Sequence, residues 1–319
     1  QNIYWQQPAK HAPGNESFSL MSKRNLALIG ATIVSIIYGV TFTIAKDVMP
    51  KYVDAYGFIV LRVGGATLLF WLVWILMKLS GKIPSEKISR SDVPRIIAAA
   101  FFGIAVNMLC FFKGLSLTSP ISAAVIMVST PMIVLVLSAI ILKERMRKRM
   151  ITGLVLGLVG TTFLILYGKS VGSASNAGLG NLLVLINAIS YGFYLIIVKK
   201  LMHTYNAFTF VKWLYLAGFF MVLPFGWSVF QTVNWAIVPN SIFWKIGFVI
   251  FFSTFINYLL NLLSMKELSP NTVAVFIYLQ PLFATIFAIG LGKDELNGVK
   301  IISAALIFSG VYLVTMKKS

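Results

Sequence analysis

The sequence predicts an all-α integral membrane protein with ten transmembrane helices, arranged as a 5+5 inverted-topology repeat around a central cavity. Composition and the length of the apolar runs predict the membrane class, and internal similarity predicts the repeat. Of 319 residues, 58% are hydrophobic and only 11% are charged, against roughly 25% charged residues in a soluble domain. The apolar residues come in runs of about 20, the length that a helix needs to cross the hydrocarbon core.

The apolar runs lie between charged or turn-forming breaks. Residues 1–20 precede them, are polar, and lack the apolar stretch of a secretory signal. We expect this segment to be a disordered N-terminal extension, with Met21 as the original start. The runs predict spans over residues 26–45, 55–77, 96–115, 121–142, 151–167, 179–198, 207–230, 242–263, 272–291 and 301–316.

The two halves of the chain share residues at nearly constant separations. The expected boundaries are a first repeat over 21–168, a linker over 169–177 and a second repeat over 178–319. Because each half has an odd number of spans, the two halves would enter the membrane from opposite sides. Many secondary transporters have this inverted repeat, and their substrate site lies where the repeats meet, near the membrane midplane. The matched pairs are Pro120 with Pro270, Pro131 with Pro281, Asn107 with Asn257, Gly160 with Gly310, and Tyr38-Gly39 with Tyr191-Gly192.

The formal net charge of +18 raises the question of a nucleic-acid partner. The Lys and Arg residues lie between the apolar runs, with dense clusters over 82–95 and 143–149. In a membrane protein this pattern reports orientation through the positive-inside rule. We therefore expect no nucleic acid, a lipid bilayer as the surroundings, and both termini in the cytoplasm of a bacterium with the protein in its inner membrane.

The matched residues resemble those of the EamA-type domain of the drug/metabolite transporter superfamily. The resemblance rests on the order and spacing of short motifs over the spans, and it extends over residues 21–318. The resemblance implies that helices 1 to 4 and 6 to 9 surround a cavity, while helices 5 and 10 pack at the rim, where a homodimer contact is expected. It also implies transport of amino acids and similar metabolites, mostly outward. The motifs are Tyr38-Gly39, Lys46, Pro50, Arg62, Ser119-Pro120, Pro131 and Lys143-Glu144, then Tyr191-Gly192, Ser269-Pro270, Pro281 and Lys293-Asp294-Glu295.

Arg62 is the charge placed deepest in a predicted span, about 10 Å along the second helix. Such a charge is costly unless it faces protein or water, so Arg62 is a candidate for substrate binding or, equally, for anchoring the fold. Lys212 lies nearer a helix end, where a lysine snorkels to the interface. The nine acidic residues all lie in tails, loops or helix ends, which disfavours a cation/proton antiporter and favours a zwitterionic, neutral or anionic substrate.

Polar side chains within the spans complete the predicted substrate site. They either contact substrate or make interhelical hydrogen bonds, and the sequence leaves both uses open. Pro131 and Pro281 lie in mid-span and predict matched helix kinks, which either shape the cavity or serve packing. The predicted substrate-binding residues are Tyr38, Arg62, Asn107, Thr130, Asn187, Tyr191, Asn257, Tyr258 and Gln280.

The predicted function is therefore secondary transport, with export of an amino acid or a similar compound by alternating access. A sugar-phosphate or nucleotide exchanger would need several cavity cations, and a drug exporter is a further alternative. A membrane enzyme or a receptor is disfavoured, because the two histidines, His11 and His203, lie in a tail and a loop. No cofactor, metal or catalytic residue is expected.

Overall fold

A computed structural model of the chain describes residues 22–49, 51–83, 86–117, 126–143, 145–166, 177–290 and 298–316. Within these residues the helices fall into ten stretches, apart from a single 3₁₀ turn at Trp235–Ile237. The predicted extension 1–20 lies outside them, as does the predicted linker 169–177 except for its last residue. The helices are α1 Lys23–Val48, α2 Ala55–Leu79, α3 Val93–Ala100 with Phe101–Val106 and Asn107–Leu117, α4 Thr130–Ile141, α5 Lys148–Leu166, α6 Ala177–Thr204, α7 Ala207–Gln231, α8 Asn240–Phe248 with Val249–Ile256 and Asn257–Glu267, α9 Pro270–Val275 with Phe276–Tyr278 and Leu279–Gly290, and α10 Gly298–Thr315.

Several helices extend beyond the predicted apolar runs. The N-terminus of α1 includes Lys23, and the C-terminus of α6 reaches Thr204. Polar residues continue these helices because the interfacial ends of a membrane helix tolerate charged side chains. Three side chains cap the starts of later helices by accepting a backbone N–H: Asp54 for α2, Asn206 for α7 and Ser269 for α9.

Seven of the described helical stretches are long and apolar enough to cross a bilayer, and residues 126–141 and 301–315 form shorter apolar helices. Large apolar side chains are exposed on the outer surface, including Leu68, Leu79 and Trp244. Such exposure suits a lipid-facing surface, since each helix satisfies its own backbone hydrogen bonds. The protein is therefore a helical, multi-pass membrane protein.

The helices pack in a pattern with internal correspondence. Helix α1 contacts α8 and α9, whereas α6 contacts α3 and α4; helix α2 packs on α7, and α5 on α10. Each contact has a counterpart in which the helix numbers differ by five. The inverted 5+5 repeat with ten crossings stays a prediction, since the direction in which each half enters the membrane is not given by these contacts.

Helices α5 and α10 approach each other closely through glycines. A Cβ on Gly310 would lie 2.5 Å from the Gly153 carbonyl oxygen and 2.7 Å from the Gly157 nitrogen. Only glycine therefore permits this backbone contact. The small-residue faces of both helices are thus used within one chain, and the predicted homodimer through these helices would have to use their outer faces.

Two helices change from α- to π-helical hydrogen bonding in the middle of the bundle. The π-helical segments Phe101–Val106 in α3 and Val249–Ile256 in α8 both end immediately before an asparagine, Asn107 or Asn257. Segments of this kind occur frequently at functional sites. They lie 150 residues apart at their ends, the offset already seen for the matched prolines.

The helices also break next to the two prolines for which kinks were predicted. Pro131 stands in the first turn of α4, after a turn at Ser129. Pro281 follows the 3₁₀ turn Phe276–Tyr278 within α9. The Met127 carbonyl oxygen, four residues before Pro131, accepts from Thr130 Oγ1 at 2.6 Å. In α9 the Phe276 carbonyl oxygen accepts from Ser35 Oγ at 2.9 Å, which joins the 3₁₀ turn to α1.

Candidate functional site

A small cavity of about 20 Å³ lies between α1, α6, α8 and α9. Three of the predicted substrate-binding residues line it, namely Tyr38, Tyr191 and Gln280. Tyr38 and Tyr191 are the residues matched between the two halves, so the cavity lies where the halves meet. That space holds about one water molecule and is far smaller than known small-molecule sites of roughly 300–1,000 Å³, so a substrate would enter only after the helices move apart.

The cavity wall is polar on one side and apolar on the other. Asn261 Nδ2 donates to the Tyr191 hydroxyl oxygen at 3.1 Å, which joins α8 to α6 across the cavity. Gln280 adds a second amide, and Ala31, Val34 and Val273 supply apolar surface. Uncharged amides with phenol rings and aliphatic groups suit a small molecule that has both polar and apolar parts.

Arg62 lies close to the cavity and is buried, with 7% of its surface exposed. Its Nε donates to Thr254 Oγ1 at 3.2 Å, and its guanidinium carbon lies 5.7 Å from the centre of the Phe112 ring. It is also within electrostatic range of Tyr38. Neither ion pair found among the described residues includes Arg62, so its charge has no carboxylate partner there.

Thr254 connects Arg62 to the π-helical part of α8. Its side chain is fully buried, and its hydroxyl donates to the Val249 carbonyl oxygen at 2.8 Å while it accepts from Arg62. The i to i−5 spacing of that bond matches the π-helical turn. Thr254 therefore holds the arginine through a helix segment that departs from regular geometry.

Asn257 adds an unpaired amide beside this group. It is fully buried, and neither of its amide atoms has a hydrogen-bond partner of ordinary geometry among the described residues, although it lies near the Tyr38 hydroxyl. An unsatisfied buried amide is costly, by about 1–3 kcal/mol for each group. A ligand that supplied an oxygen acceptor would satisfy both the amide N–H and the free N–H groups of Arg62.

A row of aromatic rings runs from the cavity toward α7. Ring centres of Tyr191 and Tyr194 are 5.9 Å apart, those of Tyr194 and Tyr258 are 6.3 Å apart, and those of Tyr258 and Tyr215 are 5.0 Å apart. The Tyr258 hydroxyl donates to the Gly103 carbonyl oxygen at 3.0 Å, in the π-helical part of α3. The predicted residue Tyr258 thus joins the two irregular helices and does not line the cavity.

The remaining predicted residues make contacts between or within helices outside the cavity. Asn187 Nδ2 donates to the Asn107 carbonyl oxygen at 2.7 Å, and Thr130 is fully buried, with its hydroxyl on the Met127 oxygen. Asn187 also keeps an amide oxygen without a partner among the described residues. The structure thus places Asn107, Thr130 and Asn187 in packing positions, and no ligand contact follows from this geometry.

Outside the spanning helices, a polar cluster ties the α2–α3 loop to the α6–α7 turn. The Tyr205 hydroxyl donates to Asp92 Oδ2 at 2.7 Å and accepts the Ser89 N–H at 3.1 Å. The bond from Tyr205, with help from Arg95, lowers the pKa of Asp92 from its ordinary value. Burial and the neighbouring Asp92 raise the pKa of Tyr205.

Sequence reasoning missed three residues of the site, namely Ser35, Thr254 and Asn261. Helical spacing carries the signal that could have found two of them. Ser35 precedes Tyr38 by one helical turn, and Asn261 follows Asn257 by one turn, so each shares a helix face with a predicted residue. Thr254 has the same spacing in sequence, three residues before Asn257, but the π-helical turn changes the face on which it lies, so the α-helical rule does not hold there.

Comparison with known proteins finds the same family in both halves of the chain. Residues 25–166 and residues 178–316 each match the EamA-like transporter family. A Bacillus subtilis (strain 168) protein with the name Uncharacterized transporter YyaM is 23% identical over 279 residues, which cover 87% of this chain and 89% of the relative. An uncharacterized transporter of Archaeoglobus fulgidus is 24% identical over 281 residues, covering 88% and 95%.

Another Bacillus subtilis relative, Uncharacterized transporter YetK, is 23% identical over 235 residues, which cover 72% of this chain and 70% of the relative. A solved crystal structure superposes on this chain with a TM-score of 0.73 at 18% sequence identity, and the superposition covers 92% of this chain and 96% of that chain. At this level of identity the likeness shows a shared fold. The names of these relatives specify transport without a substrate.

Proposed function

Because the chain belongs to the EamA-like transporter family, we propose that this membrane transporter carries a small zwitterionic or neutral metabolite of the amino-acid class. It does so outward across a bacterial inner membrane by alternating access. The observation that supports this substrate class is Arg62, a buried guanidinium without a carboxylate partner among the described residues, beside the cavity.

The substrate carboxylate binds at Arg62 and Asn257. A guanidinium offers paired N–H donors that match a carboxylate, and charge-assisted bonds of this kind are about twice as strong as neutral ones. The unpaired Asn257 amide adds a donor at the same place. The part of the substrate that is cationic or polar then lies toward Gln280, Asn261 and the rings of Tyr38 and Tyr191.

Among the described residues, every Asp and Glu lies in a loop or at a helix end. Transporters that export organic cations against protons rely on an acidic group inside the membrane. The proposed transporter therefore acts without an intramembrane carboxylate as proton carrier, and its substrate provides the negative charge that Arg62 needs.

A sugar-phosphate or nucleotide exchanger is the second candidate within transport. A substrate of that kind carries about two negative charges and needs more than one cavity cation. The other deep cation, Lys212, is enclosed by tryptophans at the α2–α7 contact and does not line the cavity. The single cation of the site favours a single carboxylate.

The orientation proposed here has both termini in the cytoplasm. The basic clusters over 82–95 and 143–149 and the ends at Lys23-Arg24 and Lys317-Lys318 then lie on the cytoplasmic side. The positive-inside rule supports this arrangement. Cysteine substitutions in the loops, labelled from either side of intact cells, would test it.

Uptake of labelled aromatic and small neutral amino acids into proteoliposomes, against empty liposomes, tests the function. We expect saturable uptake by the native protein, with little change when a pH gradient is imposed. Arg62→Ala should abolish uptake and Arg62→Lys should restore little of it, because an ammonium lacks the planar pair of donors. Size-exclusion profiles show that the variants remain folded.

Two results would change the proposal. Full uptake by the folded Arg62→Ala variant would assign Arg62 to anchoring the helices. Uptake of sugar phosphates or drugs, but of no amino acid, would move the transporter to one of the alternative substrate classes.

A further inference from the structure

Lys212 of α7 lies inside a box of tryptophan rings, away from the transport cavity. Its ammonium nitrogen is 2.8 Å from the centre of the Trp74 ring, 4.7 Å from that of Trp71 and 5.3 Å from that of Trp213. The residue is 97% buried, with 3% of its surface exposed. Aromatic faces attract a cation within about 6 Å of the ring centre, so the rings offset part of the cost of burying the Lys212 charge.

The tryptophan box contains donors and no acceptor. The structure records no hydrogen bond and no ion pair for Lys212 within the part of the chain that it describes. The indole N–H groups of Trp71 and Trp74 are also buried without an acceptor there. A cation–π contact attracts the ammonium charge but gives the ammonium N–H groups no hydrogen-bond acceptor. Buried donors without an acceptor destabilise the folded protein.

A second cation lies at the edge of the box. The Lys78 ammonium is 5.0 Å from the centre of the Trp74 ring, on the face of the protein where α2 ends. Lys78 and Trp213 are exposed, so this edge opens outward from the bundle. Two lysines and two indole N–H groups thus belong to one cluster, with Lys78 at its exposed edge and no carboxylate partner among the described residues.

The position of the box along the helices places it at a membrane interface. Lys212 lies about 8 Å along the axis from the start of α7, and a helical side chain points toward the N-terminus of its helix. The ammonium therefore reaches the level of the lipid head groups. Tryptophan rings are also enriched at this level.

We propose that the box, composed of Trp71, Trp74, Lys78, Lys212 and Trp213, binds the phosphate of an anionic phospholipid head group. The phosphate oxygens accept from the two ammonium groups and the indole N–H groups, after the exposed Trp213 ring turns aside. A zwitterionic lipid would bring its own cation next to two lysines, so a lipid with net negative charge is preferred. Basic pockets between membrane helices bind anionic lipids in this way.

Native mass spectrometry of the protein in neutral detergent tests the site. The probes are phosphatidylglycerol, phosphatidylcholine and inorganic phosphate, each added to delipidated protein. We expect phosphatidylglycerol to bind at least about five-fold more tightly to the native protein than to Lys212→Gln, which is the effect of about one lysine–phosphate contact. Lys212→Arg keeps the charge and should keep most of the binding.

Lys200→Gln is the matched control. Lys200 is an exposed lysine at the nearby end of α6, so this variant changes the net charge equally without entering the box. It should bind phosphatidylglycerol as the native protein does. An equal loss in both variants would overturn the site in favour of general attraction to a basic surface.

Three further outcomes would each overturn the proposal. Phosphatidylcholine binding as tightly as phosphatidylglycerol would show that charge is not recognised. Displacement of the lipid by inorganic phosphate at equal concentration would show a site for a soluble anion. Unchanged lipid binding by folded Lys212→Gln would place the lipid elsewhere. Since none of these measurements involves transport, failure here is distinguishable from failure of the proposed transport function.

Discussion

Replacement of Thr254 by valine should weaken transport, because it removes the hydroxyl that positions Arg62 and replaces it with a methyl group of similar size. The Arg62 Nε loses its partner at 3.2 Å, and the Val249 carbonyl group loses its donor at 2.8 Å. A hydrogen bond to a charged group contributes about 1.5–3 kcal/mol. If that energy orients the guanidinium toward substrate, kcat/KM for transport falls about 10- to 150-fold.

Initial rates of uptake into proteoliposomes over a range of substrate concentrations measure this effect. Thr254→Ser retains the hydroxyl and should transport nearly as well as the native protein. Ser253→Ala is the matched control, since Ser253 is equally buried and its hydroxyl has no hydrogen-bond partner among the described residues. Equal rates for Thr254→Val and Ser253→Ala would refute the reasoning that Thr254 positions Arg62.

Two further predictions concern stability, and melting temperature in detergent measures both. Gly310→Ala should lower the free energy of unfolding by about 1–3 kcal/mol, because the added methyl group overpacks against Gly153. Gly247→Ala is the control, since Gly247 has open space around it and the substitution should not destabilise the protein. Equal effects of the two substitutions would contradict the close contact. Tyr205→Phe should destabilise the protein at neutral pH, because the ionised Asp92 loses its donor. That difference should shrink as the pH falls below 3.8 through the lowered pKa of folded Asp92, since a bond to an ionised carboxylate is stronger than a bond to a protonated one. The part that comes from the lost Ser89 N–H bond should remain at low pH; a difference that did not change with pH would contradict this account.

The sequence predicted the helical membrane class and most helix positions because one strong physical requirement acts on every span. A membrane helix must expose apolar residues over about 20 positions, and that requirement is readable residue by residue. Helix ends such as Lys23 and Thr204 were placed less well. Polar residues at the interface are compatible with either helix or loop, so composition does not decide where such a helix stops.

The site was predictable only where repeat symmetry and polarity coincided. Tyr38 and Tyr191 were matched between the halves and both line the cavity, and Gln280 lies beside them. Asn107 was matched too, and Thr130 is a polar residue within a predicted span, yet both serve helix contacts. Pattern alone does not separate these uses, because an amide or a hydroxyl satisfies a neighbouring helix as readily as a substrate.

The π-helical segments in α3 and α8 have a consequence for how transporters of this family are aligned. Each i to i+5 turn accommodates one residue more than an α-helical turn, so loss of one residue there restores a regular helix and leaves the residues that follow on the same face. Without the wide turn, the extra residue would rotate Asn257 and Tyr258 by about 100°. A one-residue gap inside a membrane helix, which would rotate the rest of the helix elsewhere, is structurally tolerable at these two places, and relatives that carry such a gap would still present the same helix face to the centre of the bundle.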